Sequence, residues 1–200
     1  NDALVNATAP QIDQARDLLG IASSAVAMLY APTFRETPGD TSIRLDLGRV
    51  LDRLPNDVVL IVRAHHTVTN SGQVRELIQQ GRLIDGSGPS SIIPCYLAAD
   101  ALITDYSSVM FDYALLDRPI IIYADDWLTY RQTRGTYFDL LAQPPGPVAV
   151  NEDQLVAAIV DGSYRSALST ELRARFRERF CTFDDGQAAE RIIKTVLAPT

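Results

Sequence analysis

Cysteine is scarce. Cys95 and Cys181 are the only two, far apart and outside any CxxC spacing, which excludes a disulfide framework, suggests no zinc site and fits a reducing cytoplasm. Long apolar runs are missing too. None approaches the roughly 20 residues that span a bilayer, and no basic-then-apolar signal segment opens the chain, so a soluble protein is expected. Positive charge is in deficit, with 18 Lys and Arg against 25 Asp and Glu and a net charge of −7. That balance argues against a nucleic-acid partner bound through a basic face, while leaving room for a small phosphorylated ligand. GxGxxG, GxxxxGKS/T and GxSxG are all absent, so dinucleotide oxidoreductase, P-loop NTPase and α/β-hydrolase readings lose their main support. The only histidines, His65 and His66, are adjacent. Neighbours on an extended chain point to opposite sides and cannot easily share a metal, and no HExxH or paired-carboxylate spacing supplies other ligands, so no metal and no cofactor are expected.

What is present is a hydrophobic content of 46%, enough for the core of one domain. Continuous apolar runs at 25–30, 58–63, 82–84, 101–104 and 119–123 predict buried strands. Helical spacing separates them at 11–19, 47–54, 73–80, 92–99 and 109–116, with further helices at 152–160 and from 164 to 198. Apolar strands alternating with helices predict a Rossmann-like, doubly wound parallel sheet. Residues 125–147, with Tyr130, Arg131, Arg134, Gly135, Tyr137, Asp139 and a Pro-Pro-Gly-Pro turn, read as a long irregular connection facing a ligand. Leu168, Leu172, Phe176 and Phe180 recur every four residues and predict an amphipathic helix, its arginines solvated beside Glu171 and Glu178.

In such sheets ligands lie outside the carboxyl ends of the strands. Those ends are polar here: Thr33 and Arg35, then His65 and His66, then Ser107 and Ser108, then Asp125 and Asp126. Most informative is Leu-Ile-Thr-Asp-Tyr-Ser-Ser at 102–108, where a strand breaks into hydroxyls that open the next helix. Two readings stand. Ser107 and Ser108 can hold a phosphate with hydroxyls and backbone N–H groups, or Asp105 or Ser107 can cap the helix. Asp112, one helical turn on, is read as a brace for that turn. Arg63 and one histidine suit phosphate oxygens. Arg134 and Asp139 are either a surface ion pair or ligand contacts.

Six blocks taken together carry a family resemblance: Tyr-Ala-Pro-Thr-Phe-Arg at 30–35, Arg-Ala-His at 63–65, the 99–108 segment with Phe-Asp-Tyr-Ala at 111–114, Arg-Gly-Thr-Tyr-Phe-Asp at 134–139, Pro-Gly-Pro at 145–147, and Phe-Cys-Thr-Phe-Asp-Asp-Gly at 180–186. In that order they resemble the CDP-glycerol glycerophosphotransferase family of bacterial teichoic acid polymerases and primases. The resemblance implies the carboxyl-terminal half of a GT-B glycosyltransferase-type fold, with residues 1–200 as the donor-binding domain and the amino-terminal acceptor domain absent, so a fragment of a longer enzyme is expected. It implies Pro32 and Thr33 bordering the donor, Arg63 and His65 at its phosphates, Ser107 and Ser108 at the pyrophosphate, and Arg134, Gly135 and Asp139 closing over nucleotide or polyol. His65 is the implied catalytic residue. At His66 the family usually has proline, which leaves the role of that residue open. The implied partners are CDP-glycerol or a related CDP-polyol and a lipid-linked polyol-phosphate acceptor at the inner face of the cell membrane. Ribitol-phosphate or capsule hexose-phosphate transfer, a GT-B transferase for an ordinary nucleotide sugar, and a non-catalytic nucleotide-binding scaffold are the alternatives.

Overall fold

A computed structural model describes residues 1–33, 43–63 and 72–197. Helices α1 (Asp2–Val5) and α2 (Ala9–Leu18) lead into strand β1 (Val26–Tyr30). Then follow α3 (Leu47–Leu51), β2 (Val58–Val62), α4 (Gly72–Gln79), β3 (Leu83–Asp85), α5 (Ile93–Ala98), β4 (Ala101–Thr104), α6 (Val109–Ala114), β5 (Ile120–Tyr123), α7 (Trp127–Thr133), β6 (Val148–Ala149), α8 (Glu152–Val160), α9 (Ala167–Phe180) and α10 (Ala188–Ile192). Among the described residues the six strands are all parallel, in the order β3-β2-β1-β4-β5-β6. Chain order therefore reverses between β1 and β4.

Residues alternate across the sheet, and both faces are covered. Ala27, Leu29, Ile61, Leu102, Ile120 and Ile122 pack with α2, α5, α6 and α9. Met28, Tyr30, Leu60, Val62, Ile103, Ile121 and Tyr123 pack on the other face with α3, α4 and α8. This is the doubly wound sheet expected from uninterrupted apolar runs. Local signals fix the helix starts: the Thr8 amide donates to Gln11 Oε1 at 2.9 Å, and Asn151 Oδ1 accepts from the Gln154 amide at 2.9 Å.

The 125–147 stretch differs from its expected irregularity. It forms α7, anchored by buried Trp127, before the chain enters the two-residue strand β6. The Pro-Gly-Pro turn leading to β6 is held by contact with the sheet: a Cβ on Gly146 would lie 1.9 Å from the Ile120 carbonyl oxygen. Any side chain there pushes β6 away from β5.

Helix α9 also departs from its expected face. A four-residue repeat drifts about 40° per step around a helix, so Leu168 is 64% exposed while Ser169, Arg173 and Phe176 are buried. Arg173 Nε donates to Asp117 Oδ1 at 2.8 Å, and Arg177 joins the same carboxylate at 3.2 Å. Asp117 makes this pairing from a left-handed backbone, φ 53°. Arg175 instead pairs with Glu171, as expected of a solvated face.

Candidate ligand crevice at the switch point

Thr33 lies on the segment leaving β1, and Asp105 directly follows β4. Asp105 is 4% exposed. Its Oδ1 accepts from the Thr33 amide at 2.8 Å, from the Thr33 hydroxyl at 2.6 Å and from the Tyr106 amide at 2.6 Å. Below them the Thr104 hydroxyl donates to the Ala31 carbonyl at 2.7 Å. Hydrogen bonds to a charged acceptor are the stronger kind, so the two strand ends are tied firmly. Pro32 lies within the tied segment.

The cap assigned to Asp105 as one reading is not what its carboxylate does: it holds the β1 segment. Ser107 Oγ meets the Val109 amide only at 3.5 Å, and Ser108, at the N-cap of α6, makes no side-chain cap bond. The two hydroxyls therefore stand at the helix start without a strong capping role. Asp112 does not brace that turn; its Oδ2 accepts from the Tyr96 hydroxyl at 3.5 Å.

Arg63 leaves β2 beside them. Its Nη1 donates to the carbonyls of Gly86 and Pro89 at 2.5 and 2.7 Å. Nε and Nη2 have no hydrogen-bond partner among the described residues. The Gly86 backbone can approach because it has no side chain; a Cβ there would sit 3.0 Å from Ile61 Cγ2 and 3.1 Å from Cys95 Sγ. Burial pushes the Cys95 thiol pKa up, which keeps it protonated and inert. His65, His66 and Arg35 lie outside the described residues.

Beyond β5, Asp126 accepts from the Tyr106 hydroxyl at 2.9 Å. Burial and that bond raise the Tyr106 pKa, so the phenol stays a donor. Asp125 is clasped by Arg44 Nε at 2.9 and 2.8 Å, and burial still raises its pKa against that partner. The Tyr106 ring stacks on Tyr130 with centroids 4.0 Å apart. Together with Ser108, Phe111, Gly135 and Tyr137 these rings line a cavity of about 300 Å³.

Ser108 and Gly135 thus meet around one cavity. Gly135 has φ 74° and donates to the Arg131 carbonyl, so a helix C-terminus alone accounts for the glycine. Arg134 is the C-cap of α7. Asp139 turns to its own loop, accepting from the Leu141 and Ala142 amides at 3.0 and 3.2 Å, and its ion-pair partner is Arg131 at 3.7 Å. The Arg134–Asp139 pair considered from sequence is replaced by this one. Arg44 and the tie between Tyr106 and Asp126 were not foreseen; the acidic pair after β5 was the one signal pointing there.

The profile of CDP-Glycerol:Poly(glycerophosphate) glycerophosphotransferase matches residues 1–198. The chain is 33% identical over 186 residues to the teichoic acid glycerol-phosphate transferase of Staphylococcus aureus (strain NCTC 8325 / PS 47), covering 89% of this chain and 46% of that protein. A structure of the wall teichoic acid polymerase TagF, a variant soaked with CDPG, superposes with a TM-score of 0.82 at 31% identity, covering 96% of this chain and 47% of that one. The glycosyltransferase WaaG, at 15% identity and a TM-score of 0.56 over 96% of this chain and 52% of its own, shares the fold. The sheet is thus one half of a GT-B-type architecture, and the chain spans about half the length of the relatives it matches. The match over almost every residue, with residues 30–33, 99–108 and 134–139 around one crevice, places the chain in the CDP-glycerol:poly(glycerophosphate) glycerophosphotransferase family.

Proposed function

We propose that this chain is the donor-binding half of a polyol-phosphate transferase acting on CDP-glycerol. The observation that carries the reading is the crevice at the strand-order reversal, where Thr33, Arg63, Ser107 and Ser108 stand on the three segments that leave β1, β2 and β4, with the β1 and β4 segments joined through Asp105. A second domain bearing the acceptor side would face it.

The reaction is attack by a terminal hydroxyl oxygen of a lipid-linked polyol phosphate on the β-phosphorus of CDP-glycerol. A new P–O bond forms, the bond from that phosphorus to the bridging oxygen breaks, and CMP leaves with the electron pair. The hydroxyl proton passes to a base on the other domain. The contribution of this half is positioning and charge: Arg63, His65 and the Ser107–Ser108 helix start offset the charge on the leaving phosphate, as in other phosphoryl transfers. Pro32 and Thr33 border the donor, while Arg134, Gly135 and Asp139 form the loop that closes over it. No step calls for a cofactor or metal. The lipid-linked acceptor puts the work at the inner face of the cell membrane, and no helix among the described residues is long and apolar enough to cross it.

Calorimetric titration of the chain with CDP-glycerol, CDP, CMP, CDP-ribitol and UDP-glucose tests the reading. CDP compounds are expected to bind first and to rank the polyols; preference for UDP-glucose, or no binding by any of them, would sink it.

A further inference from the structure

Half-buried Arg63 leaves β2 with part of its hydrogen-bonding capacity already spent. A guanidinium carries five hydrogens, one on Nε and two on each Nη. Both Nη1 hydrogens are matched by carbonyls of the turn between β3 and α5, Gly86 at 2.5 Å and Pro89 at 2.7 Å. The fork at the tip of the side chain needs a hydrogen from each Nη, so it is closed to a ligand. What stays open among the described residues is the side edge, where the Nε hydrogen and one Nη2 hydrogen run parallel. Such an edge matches two oxygens of one phosphate.

The turn that sets this orientation is itself fixed. The Gly86 amide donates to the carbonyl of Val62, the residue before Arg63, at 2.9 Å. The Ser87 amide donates to Asp85 Oδ1 at 2.8 Å, and the buried Cys95 thiol donates to the same Gly86 carbonyl at 3.5 Å. No side chain fits at residue 86, since a Cβ would lie 3.0 Å from Ile61 Cγ2, 3.1 Å from Cys95 Sγ and 3.2 Å from the Val62 carbonyl oxygen. Ile61 and Val62 belong to a buried central strand, so the turn must yield to any added atom, and its carbonyls then leave Nη1.

We propose that the 86–89 turn is a positioning element of the ligand site: its Gly86 and Pro89 carbonyls hold Arg63 so that the Nε–Nη2 edge takes two oxygens of a single phosphate of the ligand. The proposal rests on the crevice being the CDP-polyol site and deepens it. Arg63 meets the phosphate by a defined edge, and Gly86 acts on the ligand through Arg63.

The test is calorimetric titration of the wild-type chain, Gly86→Ala, Arg63→Ala, the double variant and Arg63→Lys with CDP and cytidine. Arg63→Ala should weaken CDP by about tenfold or more, the worth of hydrogen bonds to a charged group. Arg63→Lys, a point charge without the fork, should recover less than half of that loss on a logarithmic scale. Gly86→Ala should weaken CDP by about three- to tenfold and leave cytidine within about twofold. Beside Arg63→Ala it should add nothing further, because residues that act through one another are not additive. Should Gly86→Ala lose its fold by circular dichroism, Asp85→Ala, which frees the Ser87 amide and adds no atom, carries the same cycle. A Gly86→Ala loss shared by cytidine, or one that persists in full beside Arg63→Ala, would reduce the turn to a structural role and overturn the proposal alone. Wild-type affinity for CDP in Arg63→Lys would do the same, charge then sufficing without an edge. Wild-type indifference to CDP would overturn the donor-site reading and take this inference with it.

Discussion

At the crevice, side chains meet through hydrogen: Thr33 to Asp105, Tyr106 to Asp126, Arg44 to Asp125. On the flank beneath α9, they meet through rings. Phe111, Phe138, Phe176 and Phe180 interlock with centroid separations from 4.7 to 6.3 Å. Both regions draw on blocks that carry the family resemblance, yet one lines a crevice with polar groups and the other seats a helix. Presence in a family motif therefore does not make a residue part of a ligand site. Phe111 and Asp112 stand next to each other, and the first lines the cavity with Tyr106 while also joining the ring cluster, whereas the second turns away to accept from Tyr96.

If the division is real, changes on the flank alter folding and changes at the crevice alter binding. Phe176→Ala should cost most, about 3–5 kcal/mol of unfolding free energy, with CDP affinity held within about twofold of wild type wherever the protein is folded; urea denaturation beside titration reads both. Gly146→Ala follows, at about 3 kcal/mol, the upper end for a clash with well-packed surroundings, because Ile120 oxygen occupies the place of the new carbon. A cost under about 0.5 kcal/mol in the same denaturation would mean that β6 yields readily.

Ser107→Ala with Ser108→Ala sharpens the other side. CDP should bind about tenfold more weakly, roughly 1.4 kcal/mol, with cytidine unchanged and unfolding moved by less than about 0.5 kcal/mol. Equal losses for CDP and cytidine would return the serines to a capping role. The smallest effect is a pH dependence. Asp125 has a folded pKa raised above its ordinary 3.8 by burial. The folded state then holds its proton more tightly, so its contribution is most favourable below 3.8 and is lost as pH rises through the folded pKa. Between the ordinary and the folded pKa, wild type should lose stability relative to Asp125→Asn as pH rises, read by urea denaturation of both across the acid range. Parallel stability profiles for the two proteins would show that burying this carboxylate is without cost.

The sheet was legible because each central strand is an uninterrupted apolar run, and a run such as Ile120–Tyr123 buried on both faces has few other ways to fold. Strand β6 was not, since two residues give no period, and α7 was hidden by the turn residues that follow it. Strand-end reasoning pointed to Thr33, Ser107 and Ser108, which the structure sets on the segments that leave β1 and β4. It could not find Arg44 clasping Asp125, because nothing local marks a pair 81 residues apart. Gly135 and Asp139 show the opposite limit: residues drawn to the ligand by motif have complete local explanations in a helix end and a turn, and their ligand role is a separate matter for binding experiments.

Arg63 carries a consequence of its own. A free arginine surrenders about 2 kcal/mol of rotamer entropy when a ligand immobilises it. Here Nη1 is pinned by the Gly86 and Pro89 carbonyls during folding, so the guanidinium plane is already set when an anion arrives. Association at this edge should therefore show a smaller unfavourable entropy than at a freely rotating arginine. Arg63→Lys would keep the charge and lose the plane, replacing a fixed fork with a mobile point charge.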